Sequence, residues 1–126
     1  MDGTCNLVAE NKEEPYLGSI KHYVLVPNKK YMEYENLSGG EQMISKIIFM
    51  YAVYHFKKLK IKFILLDEVD SNLDNYNVKK LVEFIKSENL QVVMVSLKIG
   101  VYKCCDEMIG VYKREGGSNL LYYRFK

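Results

Sequence analysis

The period of apolar and polar positions changes several times along the chain, and each change marks an element. Residues 1 to 14 are polar and acidic apart from Leu7 to Ala9, which predicts an entry segment holding a short helix. From Ile20 the pattern turns β-rich through His22, Tyr23, Val24, Leu25 and Val26, and it stops at the turn signal Pro27-Asn28. Tyr31 to Tyr34 supplies a second short strand, so a hairpin is expected. After Gly40 the apolar spacing becomes three and four residues, at Ile44, Ile47, Ile48, Tyr51, Ala52 and His55. That spacing predicts a helix over residues 41–56 with the stripe in the core and His55 as a partly buried packing residue. Lys57, Lys58, Lys60 and Lys62 crowd the helix exit, where cations complement the negative end of its dipole. A DNA-backbone patch is the competing reading of the same lysines.

Phe63 to Leu66 is a continuous apolar run ending at carboxylates, the pattern of a buried parallel strand whose C-terminal end opens onto a site. Helical spacing returns over Asn75 to Ser87 through Val78, Leu81, Val82 and Ile85, and Leu90 to Val95 reads as the next buried strand. Helix, strand, helix, strand in that order implies right-handed crossovers and a parallel sheet. Met108 to Tyr112 and Asn119 to Phe125, joined by Lys113 to Ser118 with Gly116-Gly117, read as a terminal hairpin. The fold class is therefore α/β, a mostly parallel sheet with flanking helices and a C-terminal β-hairpin. No repeat, low-complexity tract or linker divides the chain, so residues 1–126 are expected to form a single domain.

Composition narrows this picture. A chain of 126 residues with an apolar share of 48% is large enough for one hydrophobic core. No apolar run approaches the roughly 20 residues of a membrane span, and no signal-peptide layout is present, so an intracellular, soluble protein without a membrane partner is expected. Three cysteines, two of them adjacent at Cys104 and Cys105, and two histidines argue against a disulfide framework or zinc site. A net charge of +2 does not by itself establish nucleic-acid binding. The tyrosines at 16, 23, 31 and 34 could stack on bases, but strands enrich tyrosine anyway, and packing is the simpler reading.

Two stretches carry candidate phosphate chemistry. Ser38-Gly39-Gly40-Glu41 opens the first helix. The leading N–H groups of a helix lack internal acceptors and sit at the positive end of the dipole, and glycines permit close approach of a phosphate. The same residues also fit an ordinary N-cap, because Glu41 follows Ser38 at capping-box spacing. The second stretch is Asp67-Glu68 at the end of the apolar run. Asp67 is placed to hold Mg²⁺, which keeps most of its waters and takes few carboxylates. Glu68 can orient and deprotonate an attacking water. The alternative is that Asp67, Glu68 and Asp70 make an acidic helix N-terminus.

Together Leu37-Ser38-Gly39-Gly40-Glu41, the apolar run with Asp67-Glu68, and Ser71-Asn72-Leu73-Asp74 resemble the signature motif, Walker B motif and D-loop of ABC-type (P-loop NTPase-like) ATPases. More narrowly, the chain resembles the C-terminal head lobe of the SMC (structural maintenance of chromosomes) family, most like its cohesin-type members. The Glu13 to Leu17 lead-in, the Gly18 to Tyr23 strand, Pro27 to Lys30, Met32-Glu33, Val95 to Lys98 and Ile109 to Tyr112 carry that likeness, which covers most of the chain from about residue 7.

The resemblance implies that Ser38, Gly39 and Gly40, with Glu41, contact the γ-phosphate of ATP on an opposite head, while Asp67 and Glu68 serve the ATP of this chain's own head. Asp74 would couple the two sites. Ser96 stands at the switch position, where hydrogen bonding to water or phosphate is the expected role, and its neighbour Lys98 is expected at the surface. Implied partners are a second SMC head in a heterodimer, the winged-helix C-terminal domain of a kleisin, and chromosomal DNA through the assembled complex. The implied setting is sister chromatid cohesion on chromosomes in the nucleus. The sequence departs from the family by containing no Gly-x-x-x-x-Gly-Lys-Ser/Thr phosphate loop and no heptad run, although family members carry long coiled coils flanking a hinge. These departures imply a fragment, a truncated product or one half of a split head, inactive as an ATPase by itself. Two further readings compete: a non-catalytic kleisin-binding module, for which Leu120 to Tyr123 is the candidate surface and packing within the hairpin's own sheet the ordinary alternative, and a head fragment of another ABC-type DNA-repair ATPase.

Overall fold

The computed structural model describes residues 3–27, 29–58, 60 and 63–125. Asn28 of the expected turn and Lys62 of the lysine cluster lie outside the described residues. The chain divides into two compact units, residues 1–62 and 63–126.

The first unit is built on a three-stranded antiparallel sheet. It comprises β1 (Thr4–Ala9), β2 (Ile20–Leu25) and β3 (Tyr31–Glu33), with β2 in the centre. Where a short helix was expected at the N-terminus, the chain instead forms β1, in register with β2 from Thr4 opposite Leu25 to Ala9 opposite Ile20. The reason is tertiary, since β2 offers a second row of backbone donors and acceptors that a polar segment of weak helical character takes up. β2 and β3 form the expected hairpin. The tyrosines of this sheet pack on neighbours: Tyr23 stacks on Tyr31 at 5.1 Å, and Tyr34 stacks on His22 at 5.4 Å. Tyr16, on a separate 3-10 turn, is exposed.

Helix α1 (Gly39–Phe56) rests on this sheet through polar as well as apolar contacts. Ser45, fully buried, meets His22 Nε2 at 3.1 Å and Cys5 Sγ at 3.6 Å, and the Phe49 ring approaches that of His22. Of the stripe expected in the core, Ile47 and Tyr51 are buried, while Ile48, Ala52 and His55 are exposed. Methionine, isoleucine, phenylalanine and valine run almost all round this helix, so apolar spacing does not single out one face. The helix closes at Lys57, with Lys58 in the left-handed region at φ 47°, the usual geometry just past a helix C-terminus.

The second unit opens with the α/β crossover. β4 (Phe63–Asp67), α2 (Asn75–Ser87) and β5 (Gln91–Val95) form a parallel strand pair with an intervening helix, as the spacing predicts. A short helix, α3 (Ile99–Tyr102), follows. α2 buries Val78, Leu81, Val82 and Ile85, the full predicted stripe. Val92 and Met94 of β5 line, with Val82, Ile85 and Val101, a cleft of about 410 Å³. The opposite face of the pair is uncovered: Phe63, Leu65, Val93 and Val95 are all about half exposed or more. The expectation of two strands buried on both faces is corrected accordingly, because α2 and α3 supply a layer on one face only.

The chain ends in the antiparallel hairpin β6 (Glu107–Arg114) and β7 (Gly117–Arg124). Its turn is tighter than the sequence suggests. Arg114 pairs with Gly117, and positive φ values at Gly116 and Gly117, 94° and 151°, make the two-residue connection feasible without a Cβ clash. Packing within their own sheet, the ordinary reading, does not bury Leu120 to Tyr123, although the Tyr123 ring meets that of Phe125 at 4.8 Å. All four are more than half exposed, since consecutive residues of a strand point to opposite faces and this two-stranded ribbon carries no second layer.

Candidate functional site

Ser38, Gly39, Gly40 and Glu41 come together at the head of α1. Ser38 is the N-cap in extended conformation, and a complete capping box is formed. The Ser38 hydroxyl accepts from the Glu41 N–H at 3.5 Å and donates to Glu41 Oε2 at 2.7 Å, while the Ser38 N–H donates to the same oxygen at 3.0 Å. Gln42 braces the approach from the other side, its amide donating to the Tyr34 and Glu35 carbonyls. Lys29, which the sequence did not bring to notice, places its ammonium 2.7 Å from Glu41 Oε1. That ammonium, and behind it the Ser38 donors, hold the Glu41 carboxyl below its ordinary range against the upward push of partial burial. The N-cap alternative weighed for these residues is thus present in full. It is compatible with anion binding, because a capping box occupies the Glu41 N–H and leaves Gly39 and Gly40 N–H at the positive end of the helix without intrahelical acceptors.

Asp67, Glu68, Asp74 and Ser96 belong to the second unit, around the C-terminal ends of the parallel strands. Asp67 pairs with Val95 at the last rung, and its side chain is exposed on the uncovered face. The Glu68 N–H donates to the Val95 carbonyl at 3.0 Å, so the ladder carries one residue past β4. Glu68 itself sits at φ 46°, a left-handed conformation that costs a residue with a Cβ about 1 kcal/mol or more. Two turns follow, Ser71 N–H to the Glu68 carbonyl and Leu73 N–H to the Asp70 carbonyl, both at 3.0 Å. They deliver Asp74 as the N-cap of α2, accepting from the Asn77 N–H at 2.8 Å and the Asn77 side chain at 3.1 Å.

Ser96 was expected to hydrogen-bond water or phosphate. In the structure its hydroxyl donates to Asp70 Oδ2 at 2.6 Å and accepts from the Lys98 N–H at 3.0 Å. Lys98, expected at the surface, is half-buried, and its ammonium donates to the Leu73 carbonyl. Asp70 is 1% exposed, the most deeply placed carboxylate of the segment. Its burial had no clear trace in the sequence beyond its position between the apolar Val69 and Leu73, and the partners of Lys98 had none.

No group of three or more His, Cys, Asp or Glu residues that could cage a metal occurs among the described residues. One exposed carboxylate at a strand end, Asp67, fits a magnesium ion held chiefly by phosphate oxygens and water, the usual manner for that ion. Glu68 beside it fits a base for water.

Residues 12–119 match the family described as RecF/RecN/SMC N terminal domain. The chain belongs to this family. Among curated SMC relatives it is 41% identical over 109 residues to structural maintenance of chromosomes protein 1B of Mus musculus, an alignment covering 84% of this chain and 9% of the relative. It is 31% identical over 128 residues to structural maintenance of chromosomes protein 1 of Arabidopsis thaliana, covering 90% of this chain and 10% of that protein. The chain therefore spans about a tenth of the length of the curated relatives it matches. Among solved structures it is similar, with a TM-score of 0.83 and 31% identity, to the SMC head domain with an extended coiled coil bound to the C-terminal domain of ScpA from Pyrococcus furiosus. That match covers 97% of this chain and 31% of the other. A second structure, from work on ATP-driven dimerization and DNA-stimulated activation of SMC ATPases, matches at TM-score 0.83 and 30% identity, covering 96% of this chain and 73% of its own. The fold is thus that of an SMC ATPase head, an ABC-type α/β lobe, in a family of chromosome proteins.

Proposed function

We propose that residues 1–126 act as the C-terminal lobe of a cohesin-type SMC ATPase head and contribute to two composite ATP sites. Asp67 would hold the magnesium and Glu68 the attacking water for ATP bound to this head, whose phosphate loop must come from an N-terminal lobe. Ser38, Gly39 and Gly40, with Glu41 fixing the cap, would meet the γ-phosphate of ATP on a second SMC head. Asp74 would couple the two sites. ATP binding would dock the heads and hydrolysis would part them, gating a complex with a kleisin that holds chromosomal DNA in the nucleus.

The observation that carries this reading is the uncovered face of β4 and β5. A parallel pair is rarely solvated on one face, yet here Phe63, Leu65, Val93 and Val95 are exposed beside Asp67, on the side a second lobe would cover. Identity to structural maintenance of chromosomes protein 1B supports the cohesin-type assignment over a DNA-repair head. The experiment is ATP turnover by the chain alone, by the chain with an N-terminal lobe and partner head, and by that assembly with Glu68→Gln. No turnover alone, turnover in the assembly and its loss with Glu68→Gln are expected. Magnesium-dependent turnover by the chain alone, or full turnover with Glu68→Gln, would defeat the reading.

A second reading rests on the hairpin. Ile109, Val111, Leu120 and Tyr122 on one face and Leu121 and Tyr123 on the other are exposed, a surface suited to a kleisin winged-helix domain without any need for hydrolysis. Retention of kleisin binding after deletion of residues 119–126 would exclude that surface.

A further inference from the structure

Ser96 and Lys98 form a bridge from the end of β5 to the segment that follows Glu68. The Ser96 hydroxyl gives its one proton to Asp70 and takes the Lys98 N–H. The Lys98 ammonium reaches on to the carbonyl of Leu73, immediately before Asp74. From α3, the Tyr102 hydroxyl donates to the Ser96 carbonyl at 2.6 Å, so Ser96 is held from both its side chain and its backbone. On the far side, turn hydrogen bonds from the Ser71 and Leu73 N–H groups to the Glu68 and Asp70 carbonyls close the segment. A buried carboxylate survives only with partners, and Asp70 accepts from the hydroxyl that the same bridge orients.

We propose that Asp70, Ser96 and Lys98 form a brace that fixes residues 70–74 against the end of β5, making Asp70 and Lys98 positioning residues for Glu68 and Asp74. Ser96 then serves as a strut, its proton committed to Asp70, instead of as a ligand for phosphate or water. The consequence for turnover rests on the ATPase-head reading, but the brace itself does not.

The first test is amide hydrogen exchange on the full chain. Removing one strut frees a local opening, so Ser96→Ala and Lys98→Met should each speed exchange at the Ser71 and Leu73 amides by about tenfold, leaving Leu81 to Ile85 in α2 unchanged. Asp70→Ala should do the same, and Asp70→Asn, whose amide oxygen still accepts from Ser96, should restore near wild-type rates. If Asp70→Ala does not fold, Ser96→Ala against Asp70→Asn decides. Unchanged rates at Ser71 and Leu73, or equal acceleration throughout α2, would overturn the brace. The second test is turnover in the assembled head, where Asp70→Asn should be near wild type and Lys98→Met should lower kcat about tenfold with KM within about twofold. Wild-type kcat for Lys98→Met beside an inactive Glu68→Gln overturns the positioning role alone, whereas full activity of Glu68→Gln overturns the ATPase reading and leaves exchange to judge the brace.

Discussion

Ser38 caps α1 and is proposed to meet a phosphate as well, and two substitutions separate the observed role from the proposed one. As N-cap it accepts from the Glu41 N–H at 3.5 Å, a long bond, and gives its proton to Glu41 Oε2 at 2.7 Å, a short charge-assisted one. Ser38→Ala removes both and leaves the Ser38 N–H to Glu41 bond at 3.0 Å intact. The weak first bond lowers the usual cap contribution and the second restores it, so a loss of about 1 kcal/mol is expected. For a chain of this length that is about 4 °C in Tm, read by thermal unfolding. Asparagine caps as well as serine and is uncharged, so Ser38→Asn should unfold within about 1 °C of wild type. On the proposed reading the Ser38 proton turns from Glu41 to the partner's phosphate when the heads dock, and both variants lose that hydroxyl, about 1.5–3 kcal/mol, so turnover and ATP-driven head docking should fall about tenfold to a hundredfold. Wild-type turnover by a stable Ser38→Asn would show that Ser38 only caps, and an unshifted Tm for Ser38→Ala would refute the cap energetics.

Lys58 occupies a left-handed position past the end of α1, so Lys58→Gly should stabilise by about 0.5–1 kcal/mol in denaturant titration, relief of Cβ strain exceeding the added chain entropy. Leu81, buried on α2, should cost about 3 kcal/mol as Leu81→Ala, read as a lower urea midpoint at unchanged slope. Glu41, its carboxyl held below the ordinary range first by Lys29, contributes stability that is full above the unfolded carboxylate value near pH 4.3 and is lost as pH falls through the lower folded value. Lys29→Met should therefore destabilise by about 0.5 kcal/mol at neutral pH, and the difference should shrink and vanish as pH falls through the lowered folded value of Glu41 in acid titrations followed by circular dichroism.

The elements legible in the chain are those whose signal lies within one element. α2 declares itself through Val78, Leu81, Val82 and Ile85 behind the Asp74 cap, and its buried face matches that stripe in full. The strands β4 and β5 are equally plain as runs, but which of their faces is covered depends on what packs there. β1 was missed because Thr4 to Ala9 gains its strand character from pairing with Ile20 to Leu25, a partnership across the chain. α1 was placed to within two residues at its start, yet its buried side was misjudged. Ser45, a polar residue, is the most buried position on it, held by His22 and Cys5, and no rule of apolar spacing selects a serine.

The same division runs through the candidate site. Ser38 and Glu41 stand three residues apart, so their capping box follows from local geometry and could be written down from the letters alone. Ser96 and Asp70 stand 26 residues apart, and Lys98 and Leu73 stand 25 apart. Nothing in either segment names the other; the parallel register of Asp67 with Val95 brings them together. A serine following a strand reads as a free hydroxyl facing a ligand until its proton is seen to be committed. With that proton on Asp70, the proposed chemistry at this end of the sheet rests on Asp67 and Glu68, and the proposed part of Asp70, Ser96 and Lys98 is to hold the 70–74 segment in place.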